Sequence, residues 1–352
     1  MVTSQDEHNI DIIRLPSLRL LYVLARMDAS TFHRQANAHD NCDIMSGRLS
    51  IDWLAWRAAT NGTSRQRMME SGHRTYLISD VHGCYDQFVA LLDRVSFGSR
   101  DTLYLMGDMI DRGPKSDAMV NWLVHEAGSN VHLMLGNHEY MMLEDSPSPT
   151  HFRPRFDGDW GYNGNGGTDT GEQVSDGCSP DTIARYLGMC RNASRHEIVT
   201  YRNETTGKDA KVLLVHAGIM PPRSQEDGKT LEGLLSRQST FNEVWIREPW
   251  LFSAWRPPID VIFGHTPTHL VATLATKLHD DDRLSGLVFG QDAQDAMRHG
   301  MPGQRQIERG LDRKIMRWNG KTDIDCGCVY GGRLACVRLE DGSIWYEDGE
   351  VD

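Results

Sequence analysis

The sequence predicts a layered α/β fold, and three observations support this prediction. From Arg74 onward, short apolar segments alternate with segments of helical character, a pattern typical of strands and helices that follow one another along the chain. The first three apolar segments each run directly into a polar cluster that contains glycine. Hydrophobic residues make up 39% of the chain and charged residues 24%, as in ordinary globular proteins.

Three strands, each followed by a helix, are predicted first. The strands are Thr75–Ser79, Thr102–Met106 and Val131–Leu135, and the helices are Phe88–Val95, Ser116–Glu126 and the run from Gly136 to Leu143. Residues 145–180 are rich in Gly, Pro, Asn and Asp, so a long loop is predicted there. Later strands are predicted at Lys211–Val215, at Val261–Phe263 and within Cys328–Leu339.

Two regions of different character divide the chain. Residues 1–73 contain no Lys and one amphipathic candidate, Ile12–Met27, which predicts a partly ordered N-terminal extension of unknown role. Residues 74–352 are predicted to form one domain that carries the chemistry. Within it, residues 277–313 are polar, include the triplet Asp280–Asp282, and are predicted to be an insertion.

Charge and apolar pattern argue against two classes of partner. The chain has 37 Lys and Arg against 49 Asp and Glu, a net charge of −12, and no long basic run, so nucleic acid is not an expected partner. No stretch approaches the roughly 20 apolar residues of a membrane span, because Arg14, Arg19 and Arg26 interrupt the best candidate.

The cysteines indicate a cytoplasmic protein without a disulfide scaffold. There are seven of them, an odd number, and no C-x-x-C pair, which favours free thiols in a reducing compartment. Cys326 and Cys328 lie beside a predicted strand, and their C-x-C spacing is expected to reflect buried packing.

Polar residues that suit metal binding follow five predicted strands. They are Asp80, His82, Asp108, Asn137, His216 and His265. Because sites in open α/β sheets form at the carboxyl ends of strands, we expect these side chains to converge. A set of oxygen and imidazole ligands without thiolate suits Mn²⁺, Fe or Zn²⁺. One carboxylate can also bridge two metals about 3.5–4 Å apart, a pair that can clamp a phosphoryl group.

These motifs resemble the phosphoprotein phosphatase family of binuclear metallophosphoesterases, especially its smaller bacterial and phage-type serine/threonine members. The family carries GD-x-HG, GD-x-x-DRG and GNHE in this order, followed by two histidines. The first motif reads Ser79-Asp80-Val81-His82-Gly83, with Ser in place of the leading Gly, whereas residues 107–113 and 136–139 match completely. The resemblance covers about residues 75–340 and implies a metallophosphoesterase-type β-sandwich flanked by helices.

The resemblance also implies a metal centre and a division of roles. Asp80 and His82 would hold a first divalent metal, Asp108 would bridge, and Asn137, His216 and His265 would hold a second. Mn²⁺ is the favoured ion, with Fe and Zn²⁺ as alternatives. His138 would be the general acid, oriented by Asp111, because a carboxylate partner raises the pKa of a histidine.

Substrate contacts are implied by the same family. Arg112, Arg247, Asn137 and Tyr330 form the predicted substrate-binding set, and the two arginines count among the predicted catalytic residues. Arg247 lies in a W-x-R-E segment, Asn165-Gly166-Gly167 resembles a loop beside the site, and residues 324–332 resemble the segment that closes the fold. In the smaller family members the stretch corresponding to 277–313 is shorter, so we expect the insertion to lie along the rim and to influence access or partner choice.

The leading functional hypothesis is hydrolysis of a phosphomonoester by a metal-bridged hydroxide. By resemblance the substrate is a phosphorylated protein or peptide, cleaved by a serine/threonine or dual-specificity protein phosphatase. The oligomeric state is left open.

Two alternatives remain. A symmetrical diadenosine tetraphosphate hydrolase would share the C-x-x-G-G pattern of Cys328–Gly332, but such relatives commonly alter the DRG motif and end the third motif in Asp, where this chain has Asp111-Arg112 and Glu139. An inactive phosphoprotein-binding scaffold would have lost a ligand or His138, and none is lost.

Overall fold

The computed structural model describes residues 73–145, 147–155, 157–162, 164–222, 230–281, 284 and 296–349. The predictions that concern residues 1–72, including the Ile12–Met27 helix candidate, lie outside the described residues. So does the central part of the predicted 277–313 insertion.

Ten strands and nine α-helices are described. The strands are β1 (Thr75–Ile78), β2 (Thr102–Leu105), β3 (Val131–Leu133), β4 (His196–Asn203), β5 (Lys208–Val215), β6 (Asp260–Phe263), β7 (Met316–Trp318), β8 (Lys321–Asp323), β9 (Arg333–Arg338) and β10 (Ile344–Asp348). The helices are α1 (Tyr85–Arg94), α2 (Ser116–His125), α3 (Asn137–Glu144), α4 (Gly167–Gly177), α5 (Pro180–Asn192), α6 (Leu231–Leu235), α7 (Thr240–Trp245), α8 (Thr268–Asp280) and α9 (Gln304–Leu311). A π-helical turn spans Ala296–Gly300, and a 3₁₀ turn spans Cys328–Tyr330.

The strands form two five-stranded mixed sheets. The first has the order β10-β9-β1-β2-β3 and the second β4-β5-β6-β8-β7. Strands β1, β2 and β3 run parallel to one another, as do β5, β6 and β8, whereas the remaining neighbours pair antiparallel. The layered α/β fold predicted from the sequence is confirmed.

Alternating side chains of β1 enter two different cores. Leu77 packs in a cluster that draws residues from both sheets, including Met134, Val212 and Ile262, so this cluster lies between the sheets. Its neighbour Ile78 packs in the other cluster, with residues of α1 and α2. All four residues of β1 are buried, as expected of a central strand covered on both faces, and each buried aliphatic side chain contributes about 1.5–3 kcal/mol to folding.

The predicted strands and helices of residues 75–144 are confirmed to within a few residues at each end, but the loop prediction for 145–180 is wrong in part. Helix α4 lies inside that stretch, and α5 begins at its end. In α5 the Ser179 hydroxyl accepts a hydrogen bond from the Thr182 amide, and Pro180 occupies the first turn, so this helix begins with ordinary capping signals.

The two ends of the predicted insertion are helical. Helix α8 extends into it, and α9 lies within it. Ile307 of α9 is buried, and a Cβ at Gly310 would lie 2.7 Å from the Cβ of Ala272 in α8, so the two helices pack closely. Most of the residues between these two ends lie outside the described part of the chain. The expected effect of the insertion on access to the site therefore stays a prediction.

None of the helices in the described part of the chain has the length and apolar character needed to cross a membrane. The described cysteines are buried and unpaired, and Cys326 and Cys328 are among them. Their expected role in packing is therefore confirmed.

Candidate metal centre

The predicted ligands converge where the carboxyl ends of parallel strands from both sheets meet. The Nδ1 of His216, just after β5, donates to the carbonyl of Met106, just after β2, at 2.8 Å. The backbone amide of His265, after β6, donates to both carboxylate oxygens of Asp80, after β1, at 3.0 Å. These two hydrogen bonds join the sheets at the site.

Asp108 lies at the centre of the cluster. Its Oδ2 is 3.4 Å from the Nε2 of His216, 3.6 Å from that of His82 and 4.0 Å from that of His138. Two groups of potential ligand atoms, each within 4.8 Å of one another, share this carboxylate: His82 with His138, and His216 with His265. A carboxylate common to two such groups is what a bridging ligand requires.

The histidines present lone pairs that fit a cation. His82 uses Nδ1 to donate to the carbonyl of Ile110 at 2.9 Å, and His216 likewise uses Nδ1, so Nε2 is the nitrogen of each ring that could act as a ligand atom. The Nε2 of His265 is buried and has no hydrogen-bond partner. Burial lowers the pKa of His82 to about 3, so its imidazole is neutral, as a ligand must be.

Acceptor atoms converge around the predicted second metal. Asn137 Oδ1 lies 3.0 Å from His216 Nε2 and 2.7 Å from His265 Nδ1. Burial opposes a charge on His216, but the Asp108 carboxylate overcomes it and raises the pKa of His216 to about 9. Although burial alone would raise the pKa of Asp108, the surrounding histidines lower it well below its ordinary value. Positive charge therefore stabilises this cluster, and the residues present fit two divalent metals.

Asp80 lies beside the two histidine groups and outside the 4.8 Å limit that defines them. Its carboxylate faces the His265 amide and accepts a hydrogen bond of 2.5 Å from the Ser79 hydroxyl. The replacement of the motif's leading Gly by Ser79 therefore changes the surroundings of a predicted ligand. Burial raises the pKa of Asp80 to about 6.

His138 and Asp111 form a fully buried pair. The Nδ1 of His138 is 2.6 Å from Asp111 Oδ2, and that oxygen also accepts a hydrogen bond of 2.8 Å from the indole of Trp160. His138 Nε2 has no hydrogen-bond partner and lies toward Asp108. Burial, followed by the charge of Arg112, lowers the pKa of His138 well below its ordinary value. The expectation of a raised pKa for His138 is therefore wrong, because burial and the charge of Arg112 outweigh the Asp108 carboxylate, which acts to raise it.

The two predicted phosphate-binding arginines face the same site. Arg112 Nη1 donates to His82 Nε2 at 2.8 Å, and its guanidinium lies 5.7 Å from the ring centroid of Tyr330. Burial and the charge of Arg112 lower the pKa of Arg247 to about 10. Two guanidinium groups that repel each other beside a metal centre are stabilised when an anion lies between them.

Strained backbone marks the same motifs. Among the described residues, nine non-glycine positions have positive φ, and six of these belong to the motifs: Asp80, His82, Asp108, Asp111, Arg112 and His265. Each such position costs on the order of 1–3 kcal/mol and persists only where its surroundings fix it, most often at functional sites. Gly136 has a related role, since a Cβ there would lie 2.3 Å from both the amide nitrogen and Oδ1 of Asp108.

A model of calcineurin-like phosphoesterases matches residues 73–301, more than half of the chain. The chain belongs to the calcineurin-like phosphoesterase family. The symmetrical bis(5'-nucleosyl)-tetraphosphatase of Delftia acidovorans is 32% identical over 289 residues, which cover 76% of this chain and 92% of the relative. The protein of the same name from Klebsiella pneumoniae is 26% identical over 308 residues, with the same coverage.

A metallophosphoesterase structure from Sphaerobacter thermophilus is 14% identical, with a TM-score of 0.39, and covers 80% of this chain and 90% of its own. As a calcineurin-like phosphoesterase, the chain is a metal-binding hydrolase, and the predicted metallophosphoesterase superfamily is confirmed.

Two residues that matter for this phosphoesterase site were missed by sequence reasoning. Trp160 lies within the stretch predicted as loop, and no pattern in the sequence points to its hydrogen bond with Asp111. Gly166 was noted only as part of a loop beside the site; its φ is +91°, and a Cβ there would lie 2.4 Å from the amide nitrogen of Arg112. The glycine thus lets this loop support the backbone of Arg112, the arginine predicted to bind phosphate.

Proposed function

We propose that this chain hydrolyses dinucleoside tetraphosphates symmetrically, at the central phosphoanhydride, and releases two nucleoside diphosphates. The extent of the match to relatives of that name carries the proposal, since it spans 92% of the Delftia acidovorans protein at 32% identity. The Cys328–Gly332 pattern supports the same substrate. The protein-phosphatase hypothesis, which led from the sequence alone, has less support from these relatives.

The charge of the site suits a polyphosphate. Arg112 and Arg247 lie close enough for the charge of one to lower the pKa of the other, so an anion bound between them relieves their repulsion. A tetraphosphate chain offers non-bridging oxygens on successive phosphates to both arginines at once. The net charge of the whole chain, −12, would disfavour nonspecific binding of long polyanions.

The residues present can carry out the reaction in one displacement. A pair of divalent cations, with Mn²⁺ proposed ahead of Fe or Zn²⁺, would supply Lewis acidity for the phosphoryl oxygens and a water of lowered pKa. The oxygen of one water joins a central phosphorus, and the bond from that phosphorus to the bridging oxygen breaks. Arg112 and Arg247 hold the non-bridging oxygens as charge develops. His138, in the tautomer that carries its proton on Nε2, passes this proton to the departing oxygen and regains one from the attacking water.

A second candidate is hydrolysis of phosphoserine or phosphothreonine in proteins. The observation that favours it is the intact pair of His138 and Asp111, with Trp160 as a further partner of the carboxylate. An alkoxide leaving group needs protonation more than a nucleoside diphosphate does, so a well-ordered general acid matters more for the monoester. No described feature favours the inactive scaffold.

The test compares kcat/KM of the Mn²⁺-loaded enzyme for diadenosine tetraphosphate, a phosphoserine peptide and an aryl phosphate. We expect at least a tenfold preference for the dinucleotide, with ADP as the sole nucleotide product. AMP and ATP in equal amounts would show asymmetric cleavage and contradict the proposal. A tenfold preference for the phosphopeptide would establish the second candidate instead.

A further inference from the structure

Two exposed aromatic rings lie beside the metal centre. Near the first, the ring of Trp245 meets that of His265 edge to face, with centroids 5.7 Å apart. Phe241 lies one helical turn earlier in α7 and stacks on Trp245 at 6.3 Å and 27°. Phe241 is 51% exposed, so about half of this side chain is open to solvent.

Tyr330 is the second exposed ring. It is 42% exposed, and its ring lies against the guanidinium of Arg112, which in turn contacts His82. His82 belongs to the first histidine group and His265 to the second, so Tyr330 is joined to the centre through one group and Phe241 through the other.

We propose that Phe241 and Tyr330 are stacking platforms for the two nucleobases of a dinucleoside polyphosphate, one on each side of the metal centre. The proposal rests on the tetraphosphatase function proposed above and names how that substrate is selected. A symmetrical cut leaves an equal half-molecule on each side of the attacked phosphorus, so two base sites are needed. One aromatic ring on each side meets that need.

The Phe241 side is held in place before any ligand arrives. The amide of Ala217, next to the predicted ligand His216, donates to the backbone carbonyl of Glu243 in α7 at 2.8 Å. The Glu243 side chain is fully buried and hydrogen-bonds with His196 of β4. Helix α7 is thereby fixed to the end of the strand that carries His216, and a rigid ring loses little entropy when it binds a base.

The Tyr330 side is fixed by the end of the predicted insertion. Arg313 donates from Nη1 to the backbone carbonyl of Tyr330 at 2.8 Å. Gly327 and Gly331, on either side of the 3₁₀ turn, both have positive φ, so the turn that presents the tyrosine depends on them. The insertion thus contributes to the substrate side of the site through Arg313.

Stacking is the appropriate chemistry for these rings. A phenyl ring such as that of Phe241 offers its face and no hydrogen bond, so it accepts any base. Stacking of this kind contributes about 1–3 kcal/mol per base, which corresponds to roughly a fivefold to 150-fold change in affinity. We therefore expect diadenosine and diguanosine tetraphosphates to be cleaved with similar kcat/KM.

The experiment compares binding of ADP and of pyrophosphate to the metal-loaded enzyme by calorimetry. Pyrophosphate matches the charged end of ADP but has no base. The wild type should bind two ADP molecules, one for each ring, and Phe241→Ala and Tyr330→Ala should each weaken one of these two binding events relative to pyrophosphate by about fivefold to 150-fold. Phe241→Tyr and Tyr330→Phe, which keep the rings, should restore the ratio. Ile198→Ala, at an exposed apolar residue of β4, is the matched control and should leave the ratio unchanged.

Turnover of the wild-type enzyme separates failure of the platforms from failure of the function. Suppose that the wild type cleaves the dinucleotide symmetrically while both alanine variants keep the wild-type ratio of ADP affinity to pyrophosphate affinity. That result would overturn the stacking proposal and leave the proposed function standing. Equal weakening of ADP binding and pyrophosphate binding would also overturn the stacking proposal, because the rings would then support the site without contacting a base. If the enzyme does not cleave the dinucleotide and binds ADP no more tightly than pyrophosphate, both proposals fall.

Discussion

The carboxylate of Glu139 accepts hydrogen bonds from the backbone amides of Asp108 and Met109, each at 2.8 Å. It also accepts one from the Gly136 amide at 3.2 Å, and the side chain is fully buried. Both carboxylate oxygens therefore hold the loop that carries Asp108, the predicted bridging ligand. These contacts give Glu139 a role in holding the loop, whereas the sequence alone suggests that its presence weighs against a dinucleotide substrate.

Glu139→Gln should loosen this loop. The amide NH₂ of Gln would face a backbone N–H in place of an acceptor oxygen, and an unsatisfied buried donor costs about 1–3 kcal/mol. We expect urea unfolding to show a loss of this size, together with weaker metal binding. Glu172→Gln, at an exposed position of α4, is the control. Unchanged stability and metal affinity in Glu139→Gln would contradict the role assigned to the carboxylate.

The ligand positions could be predicted from the sequence because each one follows a strand directly. Parallel neighbours such as β1 and β2 end at the same edge of a sheet, so Asp80 and Asp108 must lie close together once the strands are recognised. The residues that hold these side chains in place could not be predicted in this way. Trp160 is 49 residues from its partner Asp111, and no local pattern encodes a contact over that separation.

Helix α4 illustrates the same limit for the fold. Gly167, Gly171 and Gly177 lower its intrinsic helix propensity, so its sequence reads as a loop. Tertiary contacts stabilise it instead. Thr170 is fully buried, and the side-chain carbonyl of Gln173 accepts a hydrogen bond of 2.8 Å from the amide of Ser116, at the start of α2. Such contacts outweigh the low helix propensity of α4, and they cannot be predicted from a single sequence.

Asp108→Asn should remove bound metal and activity together. Asp108 Oδ2 is the atom shared by both histidine groups, and an amide supplies neither its charge nor a second anionic oxygen. We expect metal content, measured by atomic emission, to fall with kcat. Asp169→Asn, at an exposed position of α4, should retain both. Two bound metals and near-normal turnover in Asp108→Asn would refute the bridging assignment.

His138→Asn should lower kcat according to the leaving group. A lost general acid costs on the order of 10²–10⁴-fold for poor leaving groups, and less when the departing oxygen belongs to a nucleoside diphosphate. We therefore expect a larger loss on a phosphoserine peptide than on diadenosine tetraphosphate, with bound metal retained. Equal losses on the two substrates would count against proton transfer by His138.

Trp160→Phe tests the support of that pair separately. Phe keeps the ring in the buried site but lacks the N–H that donates to Asp111 at 2.8 Å. The loss in kcat should be smaller than in His138→Asn and should show the same dependence on the leaving group. A loss independent of the leaving group would indicate that Trp160 acts through packing alone.

Because of Lys321, we expect the free energy of unfolding to rise between neutral and alkaline pH. Its side chain is buried, with Nζ 3.0 Å from the carbonyl of Ser253 and 5.0 Å from the ring centroid of Trp250. Burial lowers the pKa of Lys321 from 10.5 to about 7 in the folded chain. Between these values the unfolded chain holds a proton that the folded chain has released. The free energy of unfolding therefore increases with pH in that window, by about 1.4 kcal/mol per pH unit from this group.

Lys321→Met keeps an extended side chain in the same space without the titrating amine, so it should lose this rise. Urea unfolding at pH 7.5 and pH 9.0 should give a wild-type stability that increases, relative to the variant, by about 2 kcal/mol over this interval. Lys208→Met, at an exposed lysine of β5, should keep the wild-type dependence. Parallel stability curves for the wild type and Lys321→Met would mean that Lys321 remains protonated in the folded chain, with the carbonyls of Leu251 and Ser253 and the Trp250 ring sufficient to hold its charge.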